Sequence, residues 1–305
     1  LKLQKTNLGR LRITKKVSRI LGEHLIYCCG ACVRISDKGI EVLTEPTITY
    51  CPLHEALYGT KEITVDTVRK SIEMKIKGFG FCCAQRVFDA ENIVPYGASE
   101  MMHFWLDKGL MDCAVVVSEG AGTVITDNGK LVQAIGSRLT GIIETSPVKE
   151  IIKRIERDGG IVLDKTNAHI DQVEGVRHAF DLGFKHVVVS VAGFQARSIS
   201  EIREIEKNSE KEVLIFSVCN TCVRKVDVKH IAKADVICAS ASRILRKEIG
   251  RKALMQVGVA IPIYALTEKG KKLVLAYLAE FKDPLVIFRT KKLPYHVEER
   301  GPRLK

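Results

Sequence analysis

The spacing of apolar and polar residues changes character near residue 97. Upstream, residues 24–50 carry short runs of β-type alternation. In VRISDKGIEVL (33–43), β-branched residues flank Asp37-Lys38-Gly39, and Gly39 suits the positive φ of a short hairpin loop. Residues 64–80 then switch to a helical period. Val65, Val68, Ile72 and Ile76 share one face there, and Gly78 lies near the end. Downstream, a helix over 98–110 precedes an apolar strand at 113–119, and VIT (124–126) reads as another strand. A helix over 146–160 is expected to start at Ser146-Pro147 and stop at Gly159-Gly160, with Val148, Ile151, Ile152 and Ile155 as its stripe. Strands at 161–163, 186–192, 212–219, 235–240 and 257–266 follow. Helices opened by Asp171-x-x-Glu174 and Ser198-x-x-Glu201, and others near 228–232, 242–254 and 268–281, alternate with them. PLVIFR (284–289) reads as a last strand.

Strands that are apolar throughout need cover on both faces. The pattern therefore predicts an α/β fold: a mostly parallel sheet with helices on both faces, preceded by a small β-rich, cysteine-containing N-terminal module. The expected divisions are a basic segment over 1–20, the cysteine module over 21–60, and a helix and connecting segment over 61–96. An α/β domain over 97–290 and a basic tail over 291–305 complete the chain. Ligands of such sheets bind beyond the carboxyl ends of the strands. That edge should carry SEGAGT (118–123), VAGFQ (191–195) and CNTC (219–222), so Glu119, Gly120, Gly122, Gly193, Cys219 and Cys222 are candidate cofactor-binding residues. SEGAGT is followed by a strand rather than a helix, so a tight turn is the better reading of it than a phosphate loop.

Charge and composition narrow the function classes. The net charge is +12, with basic residues gathered at Lys2, Lys5, Arg10, Arg12, Lys15, Lys16 and Arg19 and again from Arg289 to Lys305. This favours an anionic partner. No nucleic-acid module accompanies the charge, so an acidic protein or an anionic small molecule is expected before nucleic acid. No run approaches eighteen apolar residues, and the basic leader lacks the apolar core of a secretory signal. The 10 cysteines are therefore expected in a reducing cytoplasm, as buried hydrophobes, metal ligands or redox groups.

Those cysteines are clustered. IYCCGACV holds Cys28, Cys29 and Cys32; CPLH holds Cys51 and His54; Cys82 and Cys83 are adjacent; Cys219 and Cys222 form a second C-x-x-C. Thiolates close in sequence suit zinc or an iron–sulfur cluster. The spacing fits no standard finger or ferredoxin run, and dithiol redox chemistry and structural thiols stand as alternatives. The candidate metal ligands are Cys28, Cys29, Cys32, Cys51, His54, Cys219 and Cys222. A loop at CCGAC followed by the hairpin should bring Cys29, Cys32 and Cys51 together. A regular strand would instead send Cys29 and Cys32 to opposite faces. Cys113 and Cys238, inside apolar strands, read as small core residues.

EHLIYCCGACV, TEPTITYCPLHEALYG, IKGFGFCCAQRVF, SEGAGTVIT, GGIVLDKTNAHIDQVEGV and FSVCNTCV together resemble the methanogenesis marker protein 8 family, over nearly the whole chain beyond the basic leader. The resemblance implies a cytoplasmic archaeal protein tied to methanogenesis, acting in assembly, activation or protection of methyl-coenzyme M reductase. The favoured expectation is an accessory factor that binds an iron–sulfur cluster or zinc and meets an acidic partner, methyl-coenzyme M reductase or its activation factors. The alternatives are an enzyme that modifies an anionic cofactor with Cys219 or Cys222 as nucleophile or redox thiol, and a structural assembly partner.

Overall fold

A two-residue loop can join only antiparallel strands, and two such loops open the fold in the computed structural model. The structure describes residues 19–91, 94, 96–137 and 141–305. The basic leader expected over 1–20 lies outside the described residues up to residue 18. Strands β1 (His24–Cys28), β2 (Ala31–Ser36) and β3 (Gly39–Val42) form two successive hairpins. The second turns at Asp37-Lys38, and Gly39 has φ 116°, as the sequence predicts. Strand β4 (Ile48–Tyr50) leads into α1 (Pro52–Tyr58) and α2 (Val65–Phe79). Thr64 and Thr67 cap the start of α2 reciprocally, and Gly80 in the left-handed region ends it. Ile26, Val33 and Ile35 of the strands pack on Val68, Ile72 and Ile76 of α2 to form the first core.

The second part begins with α3 (Ala98–Asp107), β5 (Cys113–Ser118), β6 (Gly122–Thr126), α4 (Gly129–Gly136), β7 (Gly141–Thr145), α5 (Lys149–Arg157), β8 (Ile161–Val162) and α6 (Gln172–Asp181). It continues with β9 (His186–Ala192), α7 (Arg197–Lys207), β10 (Glu212–Val218), α8 (Val228–Ile231), β11 (Val236–Cys238) and α9 (Arg243–Glu248). Strands β12 (Met255–Val257) and β13 (Ile263–Ala265), helix α10 (Glu268–Leu278) and β14 (Arg303–Leu304) close it. The main sheet has eight strands in the order β12-β13-β11-β10-β9-β5-β6-β8, and β3-β2-β1-β7 form a smaller one.

The expected mostly parallel sheet is corrected. Parallel pairing joins only the four central strands, β11, β10, β9 and β5. The flanking pairs are antiparallel. Connection length is the reason in two of these pairs: residues 119–121 between β5 and β6, and 258–262 between β12 and β13, are too short for a parallel crossover. Helices cover both faces. Residues 114 and 116 of β5 join a core with α3, α4, α5 and α10, while residues 113 and 115 join one with α6, α7, α8 and α9. This is the two-residue side-chain period of a strand buried on both sides. Asp171 caps α6 through the Glu174 N–H at 2.9 Å, as expected. Ser146 does not cap α5; its hydroxyl takes the Glu23 N–H at 2.9 Å and so ties the start of β1 to the end of β7. Ser198 is likewise no cap, because α7 already begins at Arg197. PLVIFR pairs with nothing as a strand and lies exposed, with Val286 92% accessible.

The small sheet meets the main one at the carboxyl end of the parallel strands. Val117, at the end of β5, and Ala241, just beyond β11, belong to the small sheet's core. The Tyr27 ring of β1 packs at 5.3 Å on Phe194, just past β9. The loops that were expected to line a ligand crevice therefore face a packed partner module.

Candidate metal centre

The β1–β2 turn is built by Cys29 and Gly30, whose φ angles are 54° and 79°. Positive φ at both central residues is the primed turn that matches strand twist. Gly30 fits without strain, and an added Cβ there would lie 1.9 Å from Thr47 Oγ1. Cysteine at the other position is strained by about 1 kcal/mol. Among the described residues six non-glycine residues have positive φ, and Cys29, Cys82 and Cys219 are three of them. Of these three only Cys29 belongs to the cluster described next, where local strain is common at functional sites.

The turn aims two sulfurs at α1. Cys28 is buried at the end of β1, and Cys29 follows it. His54 sits in the first turn of α1, which Cys51 precedes and Pro52 opens. One His54 ring nitrogen and the Cys28 and Cys29 sulfurs all lie within 4.8 Å of one another. Both His54 ring nitrogens are buried without a hydrogen-bond partner, although the ring lies beside Cys28, and the residue is only 7% exposed. An unpaired buried imidazole costs about 1–3 kcal/mol. The ring is held by Tyr58 one turn later, at 4.7 Å between centroids.

The electrostatics favour thiolate at Cys28 alone. Cys28 is drawn below the ordinary thiol range by the Cys29 thiol, then by His54 and Lys75, against the opposing effect of burial. Cys29 keeps its proton, because that proton bridges to Cys28 and burial adds to the effect. Burial pushes Cys51 up, while the N–H groups of His54 and Leu53 face its sulfur and the Cys28 and Cys238 sulfurs are near enough to act on it. Lys75, on the core side of α2, is 5% exposed and acts on Cys28, Cys29 and Cys219.

The remaining predicted residues fall elsewhere. Cys32 pairs across the hairpin with Tyr27, on the sheet face opposite Cys28, and is not brought to the cluster. The C-x-x-C of Cys29 and Cys32 is thus divided between a turn and the far face. Cys219, following β10, packs against Gly141, whose added Cβ would meet its Sγ at 3.6 Å, and burial lifts its thiol to about 12. Cys222 is exposed and donates to the Gly30 carbonyl at 3.7 Å, so the second C-x-x-C docks on the turn of the first. The Glu119 carboxylate is buried and paired with Arg86. Gly120 N–H donates to Thr145 Oγ1 at 2.7 Å. Gly122 admits the Ala168 carbonyl, which an added Cβ would meet at 2.3 Å, and Gly193 similarly admits Asn220 Oδ1 at 2.3 Å. Cys82 and Cys83 are buried in the small core, where burial and then Glu119 push both thiols up.

Two residues at the site escaped the sequence reading. Lys75 carried a readable signal: positions 68, 71, 72, 75 and 76 form one helical stripe, and a lysine on a core stripe is anomalous. Cys238, near Cys51 and Cys219, carried none, because an isolated thiol in an apolar strand is ordinary.

Fold and site together define a mixed α/β protein with a thiol–imidazole cluster beside the core of its four-stranded sheet. The family model described as "Uncharacterized protein conserved in archaea (DUF2099)" matches residues 24–279, from the start of β1 to the end of α10. The chain belongs to this archaeal family. It is also similar to Uncharacterized protein MJ0054 of Methanocaldococcus jannaschii, at 39% identity over 269 residues, covering 87% of this chain and 94% of that protein. Among the described residues no helix is long and apolar enough to cross a membrane.

Proposed function

We propose that this is a cytoplasmic accessory protein of archaeal methanogenesis that holds a single soft metal ion at Cys28, Cys29 and His54. The observation that carries the reading is His54, an imidazole with both nitrogens buried and unpartnered beside two thiols. Tetrahedral bonds of about 2.3 Å set neighbouring sulfurs about 3.8 Å apart, so a spread within 4.8 Å needs only a contraction of roughly 1 Å to hold one ion. That compactness favours a zinc-like ion over an iron–sulfur cluster, whose ligands reach separate irons. The resemblance to the methanogenesis marker protein 8 family supplies the setting: support of methyl-coenzyme M reductase assembly or activation, with an acidic partner drawn to the net charge of +12. In the alternative reading, an enzyme using Cys219 or Cys222, Cys219 is the disfavoured nucleophile and the exposed Cys222 is the one left to it. A thiol lifted to about 12 is almost wholly protonated at neutral pH.

The test is anaerobic purification followed by zinc, iron and acid-labile sulfide analysis of the full chain. About one metal ion per chain without sulfide is expected, with the metal lost in His54→Leu. In chelator His54→Leu should be as stable as the parent, because it removes an unpaired polar group. A parent protein that takes up no metal after anaerobic reconstitution overturns the proposal.

A further inference from the structure

A buried ammonium needs a negative partner. Lys75 is buried, yet among the described residues no carboxylate forms an ion pair with it, and its ammonium lies over the Phe81 ring, 5.8 Å from the centroid. The groups its charge favours are thiolates, at Cys28 and Cys29 of the site and at Cys82 and Cys219 beyond it. Ser71, one helical turn earlier on the same stripe, touches Cys28 at 3.9 Å, so this face of α2 lies directly against the cluster.

The charge count then becomes informative. A divalent ion held by two thiolates and a neutral imidazole is neutral. Lys75 beside it would leave one uncompensated buried positive charge. With three thiolates and the imidazole, the loaded centre carries one negative charge, and Lys75 cancels it. Cys51 is the thiol placed to be the third. It sits immediately before α1, three residues ahead of His54, so both come from the same helical start. Its side chain makes no capping hydrogen bond, and the N–H groups of His54 and Leu53 face its sulfur. It belongs to the same packed cluster as Cys28 and Cys29. Its sulfur is not yet within 4.8 Å of all three other ligand atoms, so loading includes rotation of this side chain.

We infer that the metal centre is completed by Cys51 as a third thiolate, giving a closed three-cysteine, one-histidine site for a soft divalent ion, and that Lys75 is the positioning residue that neutralises the loaded site. This rests on the metal reading above and extends it. A closed four-ligand sphere leaves no open position for a substrate or water, so the ion's role is structural or to be handed on, not hydrolytic. Lys75 selects for the number of thiolates: a site with one thiolate fewer would bind less tightly because the ammonium would oppose the cation.

The test uses the full chain, metal-free and anaerobic, titrated with cobalt(II) as a spectroscopic stand-in for zinc. X-ray absorption fine structure of the cobalt-loaded parent should count three sulfurs and one nitrogen. The sulfur-to-cobalt charge-transfer band should fall by about one third in Cys51→Ser, since one of three thiolates is removed. Lys75→Met should keep the band's intensity at saturation but bind cobalt roughly 10–100-fold more weakly, the usual cost of losing an outer partner of a metal site. Lys75→Arg should recover most of that affinity, because it restores the charge. Two sulfurs in the parent, or an unchanged band in Cys51→Ser, overturns the third-thiolate assignment. Equal affinity of Lys75→Met and parent overturns the role of Lys75. Both results leave the simpler Cys28–Cys29–His54 site standing. Absence of cobalt binding by the parent sinks that site and this inference together. The sulfur count needs no variant, so a folding defect in one of them does not blunt the test.

Discussion

Single residues in this protein do different work on the two sides of one hairpin. Cys28 and Cys32 lie four positions apart, yet the Cys29-Gly30 turn sends the first to the buried cluster and leaves the second beside Tyr27. His54 looked in the sequence as much like a surface turn residue as a ligand; burial of both nitrogens removes the surface reading and supports the proposed one. Away from the site, Asp112 offers a clean pH test. Burial would push its carboxyl up, but the His186 and Lys185 N–H groups, each at 2.8 Å, and the His186 ring outweigh burial and hold it below its ordinary 3.8. A depressed carboxyl stabilises the fold above its unfolded value and loses that contribution as pH falls through the folded one. The carboxylate is 37% exposed, so its hydrogen bonds contribute about 1 kcal/mol rather than the larger buried value. Asp112→Asn should therefore lose about 1 kcal/mol at pH 7 in urea unfolding. The deficit should close as pH drops below 3.8. A deficit independent of pH would show that the carboxylate charge is not what holds this junction.

At the scale of elements, the glycines of SEGAGT have a structural purpose. The three-residue connection folds β5 back on β6, with Ser118 opposite Gly122. Gly122 has φ 72°, and a Cβ there would collide with the Ala168 and His169 carbonyls at 2.3 and 2.4 Å. Both are backbone atoms and cannot step aside cheaply. Gly122→Ala should cost about 2–4 kcal/mol in chemical denaturation, through forbidden φ and overpacking combined. A loss under roughly 0.5 kcal/mol, within the range of a neutral surface change, would contradict this account. The sequence made the long elements legible and obscured the short ones. Helix α1 spans seven residues, too few to display a helical period. The run 257–266 read as one strand because it is apolar throughout, but Gly258 in the left-handed region and Pro262 break it into β12 and β13. Strand β7 is invisible in isolation. Its partner β1 lies more than a hundred residues earlier, and neither the pairing nor its place in the small sheet has a local signature.

For the whole molecule, the net positive charge bears on the proposed acidic partner. The net charge of +12 is large for 305 residues and draws acidic surfaces over several ångströms. If the partner in methanogenesis is acidic, as proposed, its association should weaken sharply above physiological salt, where the screening length falls below about 8 Å. Binding measured at low and high salt decides this. Salt-insensitive association would assign the interface instead to apolar contacts, for which Val286, Ile287 and Phe288, at 92%, 78% and 58% exposure, are available.

By itself, the sequence determined what depends on neighbours in the chain. The helical stripes of α2, α5 and α10, the fully apolar cores of β5, β9 and β10, the Gly39 hairpin, the Asp171 cap and the clustering of thiols are all local properties, set by side-chain period and backbone preference. Tertiary structure alone decided strand direction at the sheet edges, the joining of β7 to β1, and which thiols meet. Cys28 and Cys51 share the core of the small sheet, and Cys222 reaches the Gly30 carbonyl, because the small sheet docks on the carboxyl end of the parallel strands. Cys32 is excluded because strand pleating turns it away. A metal site needs atoms converging within a few ångströms, and convergence between segments up to two hundred residues apart is a property of packing, which no local spacing encodes.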